Sequence, residues 1–173
     1  SRKLFDTMAS SPKIAKHIHL PFQAGNDRVL KAMNRRYNSA QYLELVDYAR
    51  KVMPDIVLTS DVIVGFPGET DEEFEDTLRL VEKVRYDALF TFIFSPRPGT
   101  PAAKMEDPTP AGEKNRRFDE LCALQNSISE KLHRAYVGKT MRCLVDGQED
   151  GNLLTARTEG GRLVRFSGDP ALI

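Results

Sequence analysis

Tryptophan is missing from these 173 residues, and cysteine occurs only twice. Cys122 and Cys143 cannot form a CxxC pair, and they fall short of the three or four thiolates of an iron–sulfur cluster or a cysteine-built zinc site. With no secretory leader evident, both read as reduced packing residues of a cytoplasmic protein, Cys122 beside a helix stripe and Cys143 on a strand. No apolar run approaches the ~18 residues of a membrane span, so a membrane is not an expected partner. An excess of one charge is lacking too: 25 Lys+Arg face 25 Asp+Glu. That balance removes the simplest argument for nucleic-acid binding, a strongly basic domain. What remains, 40% hydrophobic and 29% charged residues, fits one folded domain of ordinary size, or one domain with a small appendage.

Up to about residue 105, strand-like apolar runs alternate with amphipathic helices, the βαβ pattern of a parallel sheet. The first predicted strand, Ile18–Phe22, leaves through Gln23, Ala24 and Gly25 into a short helix capped by Asn26 or Asp27. A longer helix over 38–53 carries Tyr42, Val46, Ala49 and Met53 at helical spacing and stops at Pro54. The clearest strand, 56–64, is apolar on both faces and ends in Gly65-Phe66-Pro67-Gly68-Glu69. Thr70 and Glu73 predict a capping box, and Phe74, Leu78, Val81 and Val84 the buried stripe behind it. The acid-rich run over 69–76 reads as a solvated first turn rather than a cation site.

A third strand, Ala88–Phe94, closes in the proline-rich loop 95–101. A long helix then runs from Pro110 to Tyr136, with Phe118, Leu121, Gln125, Ile128, Leu132 and Ala135 on one stripe. From Lys139 the period becomes two: Met141, Cys143 and Val145 alternate, Asp146-Gly147 turns, and Leu154–Thr158 faces Arg162–Phe166. This divides the chain into an α/β part over 1–136 and an antiparallel β module over 137–173, too short to close a barrel.

All three parallel strands end in loops rich in glycine, proline or small polar residues, where α/β sheets bind ligands. His17 and His19 share a strand face but have no evident third metal ligand, so they read as structural. Arg35-Arg36, Arg116-Arg117 and the module's Arg142, Arg157, Arg162 and Arg165 are the candidate phosphate contacts.

The three strand-end motifs together carry a resemblance. His19-Leu20-Pro21-Phe22-Gln23-Ala24-Gly25-Asn26, Asp61-Val62-Ile63-Val64-Gly65-Phe66-Pro67-Gly68-Glu69-Thr70 and Phe92-Ile93-Phe94-Ser95-Pro96-Arg97-Pro98-Gly99-Thr100-Pro101 resemble the fourth-, fifth- and sixth-strand motifs of the radical S-adenosylmethionine (SAM) methylthiotransferases. The closest likeness is to the MiaB-type tRNA enzymes, which convert N6-isopentenyladenosine next to the anticodon to its 2-methylthio derivative. Sister enzymes acting on threonylcarbamoyladenosine in tRNA or on a ribosomal-protein aspartate are the alternatives, as is a non-catalytic RNA-binding module.

The resemblance implies strands four to six of a partial (βα)6 TIM-like barrel, followed by a truncated OB-like TRAM segment. By motif position, SAM would meet Gln23, Gly25, Asp61, Gly65, Phe66, Pro67, Gly68, Glu69, Phe94 and Ser95. Transfer RNA would meet Arg35, Arg36, Arg97, Lys139, Arg142, Arg157 and Arg165. The family's radical chemistry rests on 4Fe–4S clusters held by cysteines that have no counterpart in this sequence. The expectation is therefore a C-terminal piece of the enzyme, inactive alone and self-associating through the surface that the N-terminal half would cover.

Overall fold

The computed structural model describes all 173 residues. Two sheets organise it: a parallel sheet in the order β1 (His17–His19), β2 (Val57–Val64), β3 (Ala88–Ile93), and an antiparallel sheet of β4 (Cys143–Gln148), β5 (Leu153–Thr158) and β6 (Leu163–Ser167). The predicted βαβ alternation is therefore present.

The first strand is shorter than the apolar run suggests. Its ladder ends where Leu20 N donates to Thr59 O, because Pro21 has no N–H to continue it. Gln23 then takes a left-handed φ of 69° and rejoins the sheet through a bridge to Val62.

Local chemistry sets the helix starts. In α2 (Asp27–Ala32) the Asn26 side chain accepts from the amides of Arg28 and Val29. Both α3 (Ser39–Val52) and α4 (Asp71–Val84) open on capping boxes, Asn38 with Gln41 and Thr70 with Glu73. The last helix, α5 (Ala111–Arg134), ends two residues before the predicted Tyr136. An N-terminal helix, α1 (Arg2–Ser10), was not legible in the sequence; it buries Phe5 and Met8 and is tied at its end by Lys16 to the carbonyls of Met8 and Ser11.

Leu58, Val62 and Val64 of β2 are fully buried against Val46, Ala49, Val81 and Leu121 of the surrounding helices. The other face of the sheet is open: Phe90 and Phe92 of β3 remain 54% and 51% exposed. Strand alternation makes this division, since residues i and i+2 share a face.

The antiparallel sheet departs from prediction at one point. Asp146-Gly147 does not turn; it lies inside β4, where the register shifts between Val145 and Gly147 as a bulge. Thr155 Oγ1 and Arg157 Nε both donate to the Asp146 carboxylate, which holds the extra residue. The chain reverses instead over 149–152, with Gly151 at φ 63°. The turn between β5 and β6 docks beneath the start of the parallel strands, with Gly160 against Val57 and Arg162 paired to Asp87. The Arg162 guanidinium also lies 4.7 Å from the Tyr136 ring centre.

Candidate functional site

At the carboxyl ends of the parallel strands lies a cavity of about 590 Å³, within the usual range for a small-molecule pocket. Ile63, Phe66, Phe92 and Phe94 form an apolar floor, Met33 and Ala102 form walls, and Ser95, Arg35 and Arg97 lie among its polar residues. Phe66 and Phe94 meet edge to face, with ring centres 5.1 Å apart. Below it, on the open face of the sheet, Thr59 Oγ1 is within hydrogen-bond distance of His17 Nε2 (3.1 Å) and His19 Nδ1 (3.0 Å). His19 Nε2 lies 3.3 Å from Asp61 Oδ1. The two histidines thus belong to a polar chain that orients Asp61, and nowhere do three His, Cys, Asp or Glu side chains converge as a metal site would require.

The sequence-predicted residues separate into groups. Phe66, Phe94, Ser95, Arg35 and Arg97 line one cavity, and Asp61 stands on the adjoining face. Gln23 is buried and spends its backbone on the sheet, its N–H donating to Asp61 O and its carbonyl accepting from Ile63 N. Gly25 faces away from the cavity: its N–H donates to Thr77 Oγ1 at 2.9 Å, and a Cβ there would stand 2.4 Å from Thr77 Cα. Helix packing, rather than ligand approach, is what requires glycine at that position.

The loop after β2 folds around a buried carboxylate. Gly65 N donates to Glu69 Oε2 at 2.7 Å, and Glu69 N returns to Phe66 O at 2.9 Å. Burial pushes the Glu69 carboxyl above the ordinary glutamate range, against the opposite pull of the Gly65 amide and Arg117. Pro67 is buried in the turn, and Gly68, exposed at φ 74°, supplies its left-handed corner. Glu69 therefore shapes this loop from inside.

Five of the arginines read as phosphate contacts are paired with acidic side chains instead. Arg117 is 4% exposed and bonded to Glu69, Asp71 and Glu113. Arg116 is paired with Glu113, Glu120 and Asp71. Arg162 is bound to Asp87. In the antiparallel sheet Arg157 pairs with Asp146 and Arg165 with Glu149, Arg142 is exposed, and Lys139 lines a second cleft where this sheet meets the parallel strands. Arg36 is exposed beside the cavity without lining it. Sequence reading missed Met33, Ile63 and Phe92; for Ile63 the alternation with buried Val62 and Val64 was the signal available.

Residues 1–81 match the family model described as the radical SAM superfamily. A tRNA-2-methylthio-N(6)-dimethylallyladenosine synthase of Acetivibrio thermocellus is 47% identical over the whole of this chain. The likeness is to radical SAM enzymes. Synthases of the same name from Alkaliphilus oremlandii and Clostridium botulinum are each 46% identical, over 100% and 96% of the chain. The chain spans a little over a third of these curated relatives, 36% of the first and 37% of the other two. Among solved structures, coproporphyrinogen III oxidase of Escherichia coli, described as a radical SAM enzyme, superimposes on 92% of this chain and 44% of its own. The TM-score is 0.63 at 16% identity, a likeness of fold.

Proposed function

We propose that this chain forms the SAM-binding and RNA-contacting part of a cytoplasmic tRNA methylthiotransferase, which adds a methylthio group to C2 of N6-dimethylallyladenosine beside the anticodon. The observation that carries this reading is 46–47% identity, end to end, with synthases of that name. In this reading the parallel sheet is the second half of a (βα)6 barrel over residues 1–136, and β4–β6 are the start of an OB-like TRAM segment over 137–173.

The cavity's composition suits SAM. A purine ring fits an apolar floor of Phe66, Phe92 and Phe94, where stacking and desolvation favour a planar aromatic ligand. Ser95 and Asp61 provide hydroxyl and carboxylate partners for the ribose and the amino group, and His19 holds Asp61 toward them. Glu69, Gly65 and Gly25 serve by shaping the loops. Arg35, Arg36 and Arg97, at the rim and free of ion pairs, suit phosphates flanking the target base, and Lys139 and Arg142 offer a second contact at the other end of the sheet.

The radical chemistry of such an enzyme comes from 4Fe–4S clusters that reduce SAM. This chain's residues do not fit a cluster, because Cys122 and Cys143 sit on different elements and no third ligand joins either. The cluster ligands and the other half of the barrel would lie on further polypeptide of the same protein, which would cover Phe90 and Phe92. Without that cover the piece should self-associate through the same face.

The test is deletion of the full-length gene followed by mass spectrometry of transfer RNA. Loss of 2-methylthio-N6-dimethylallyladenosine, with its unthiolated precursor accumulating, is expected. Loss instead of a threonylcarbamoyladenosine derivative or a modified ribosomal aspartate would assign the chain to a sister activity.

A further inference from the structure

Arg117 is the one guanidinium enclosed by the fold. Its side chain is 4% exposed, and all three of its nitrogens are engaged: Nε with Glu113 Oε1 at 3.1 Å, Nη2 with Asp71 Oδ1 at 3.2 Å, and Nη1 with Glu69. Toward Glu69 the same Nη1 donates twice, to the backbone carbonyl at 3.0 Å and to carboxylate Oε2 at 3.3 Å. That Oε2 is the atom receiving the Gly65 amide. A continuous path therefore runs from α5, outside the sheet, through Arg117 and Glu69 to the first residue of the strand-end loop. One helical turn earlier, Lys114 packs under Gly65, so closely that a Cβ there would lie 2.7 Å from Lys114 Cγ. Its ammonium is 5.9 Å from the Phe94 ring centre and paired with Asp107.

Two features argue that this is more than a stabilising pair. A buried ion pair yields little net stability over apolar packing but fixes geometry, since its partners tolerate few other arrangements. The planar guanidinium can also hold a carbonyl, two carboxylates and a third acid at once, which a lysine ammonium cannot do in the same geometry. The loop it holds bears Phe66, part of the cavity floor, and no atom of Arg117 lines the cavity.

We propose that Arg117 is a positioning residue for ligand binding, acting through Glu69 to fix the loop over 65–69 in the shape that presents Phe66 to the cavity. The proposal rests on the reading that this cavity takes SAM, and the experiment separates the two. In the full-length protein, SAM affinity is measured by calorimetry for wild type, Arg117→Lys, Arg117→Met and Glu69→Gln. The Gly65 amide is followed in parallel by its proton shift and exchange rate, without ligand.

Arg117→Met should weaken SAM at least tenfold, with an affinity that falls as pH rises and the unpaired Glu69 ionises. Arg117→Lys should recover part of the loss, and Glu69→Gln, which keeps an acceptor for Gly65, should weaken SAM less than Arg117→Met. In each variant the Gly65 amide should move and exchange faster in the same rank order. Wild-type protein that binds no SAM would sink the functional reading alone, because the Gly65 amide still reports the clamp. SAM affinities within twofold of wild type, or a Gly65 amide unmoved in Arg117→Met, would overturn the proposal. Should Arg117→Met fail to fold, Arg117→Lys and Glu69→Gln decide by the same measures.

Discussion

Gly160 sits directly on Val57: a β-carbon at residue 160 would stand 2.3 Å from Val57 Cγ2. This contact, with the Arg162–Asp87 pair, seats the β5–β6 turn beneath the parallel strands, at the end remote from the cavity. Asp87 also accepts the Leu58 amide at 2.7 Å, so one carboxylate ties β2 to the antiparallel sheet. Gly160→Ala should overpack this junction at a cost of about 1–3 kcal/mol. Val57→Ala removes the opposing methyls, so the double variant should recover much of that loss. Denaturant unfolding of the four proteins checks it, and strict additivity would mean that the two residues do not share the junction.

Two glycines of the strand-end loops should differ in how much substitution costs. At Gly25 a side chain meets backbone, 2.4 Å from Thr77 Cα and 2.6 Å from Asp76 O, and neither can swing aside. At Gly68 nothing lies within 4 Å and only the φ of 74° resists. Gly68→Ala should then cost about 1–2 kcal/mol, the left-handed penalty of an ordinary residue. Gly25→Ala should separate β1 from α4 and cost more than that. Thermal melts of the two variants rank them, and a Gly25→Ala protein as stable as wild type would refute the close approach.

How much of this was readable from sequence depends on how far apart the partners lie. The Thr70–Glu73 capping box and the Asn26 cap are local, and their residues announced them. The long apolar run of β2 likewise pointed to a parallel strand, although only one of its faces is buried: Thr59, Asp61 and Ile63 lie on the open side. Arg116 and Arg117 are adjacent and chemically identical, yet one is solvated and the other enclosed. The difference is set by Glu69, 48 positions away, and no local pattern carries that information. Asp146-Gly147 reads as a turn because those residues favour one, but pairing with β5 overrode the preference and made a bulge. Gly25 lies in a ligand-like loop, and only the packed position of α4 explains it.

The buried tyrosine pair predicts an asymmetric response. Tyr86, fully buried and stacked on Phe22, donates its hydroxyl hydrogen to Tyr42 Oη at 2.9 Å, and Tyr42 donates onward to Leu20 O at 2.8 Å. Burial pushes the Tyr42 hydroxyl up to about 12, so both stay protonated at physiological pH. Tyr42→Phe strands the Tyr86 donor in the core, which costs about 1–3 kcal/mol, whereas Tyr86→Phe removes one bond at about 0.5–1.5 kcal/mol. Leu20 O keeps a partner in either case, because Ser60 Oγ also donates to it at 2.7 Å. The double variant should therefore lose less than the sum of the two, measured by urea unfolding.

Acid should weaken the protein through the carboxyls that its arginines hold ionised. Arg116 and Arg117 hold the Glu113 carboxyl down at about 2, against an ordinary glutamate value of 4.5. Arg28 likewise holds Glu73 below its ordinary value, while joining α2 to α4. A carboxyl depressed in the folded state adds stability above its unfolded value and loses it as pH falls through the folded one. For Glu113 that window runs from 4.5 down to about 2. Glu69, raised by burial, acts with the opposite sign, and its contribution fades as pH rises through its folded value. Carboxyl carbon shifts followed by NMR should put the Glu113 midpoint near 2 in the wild-type chain. Arg116→Ala should move that midpoint toward the ordinary value and narrow the acid range over which stability is lost. An ordinary Glu113 titration with Arg116 in place would mean that this exposed cluster is not held together in solution.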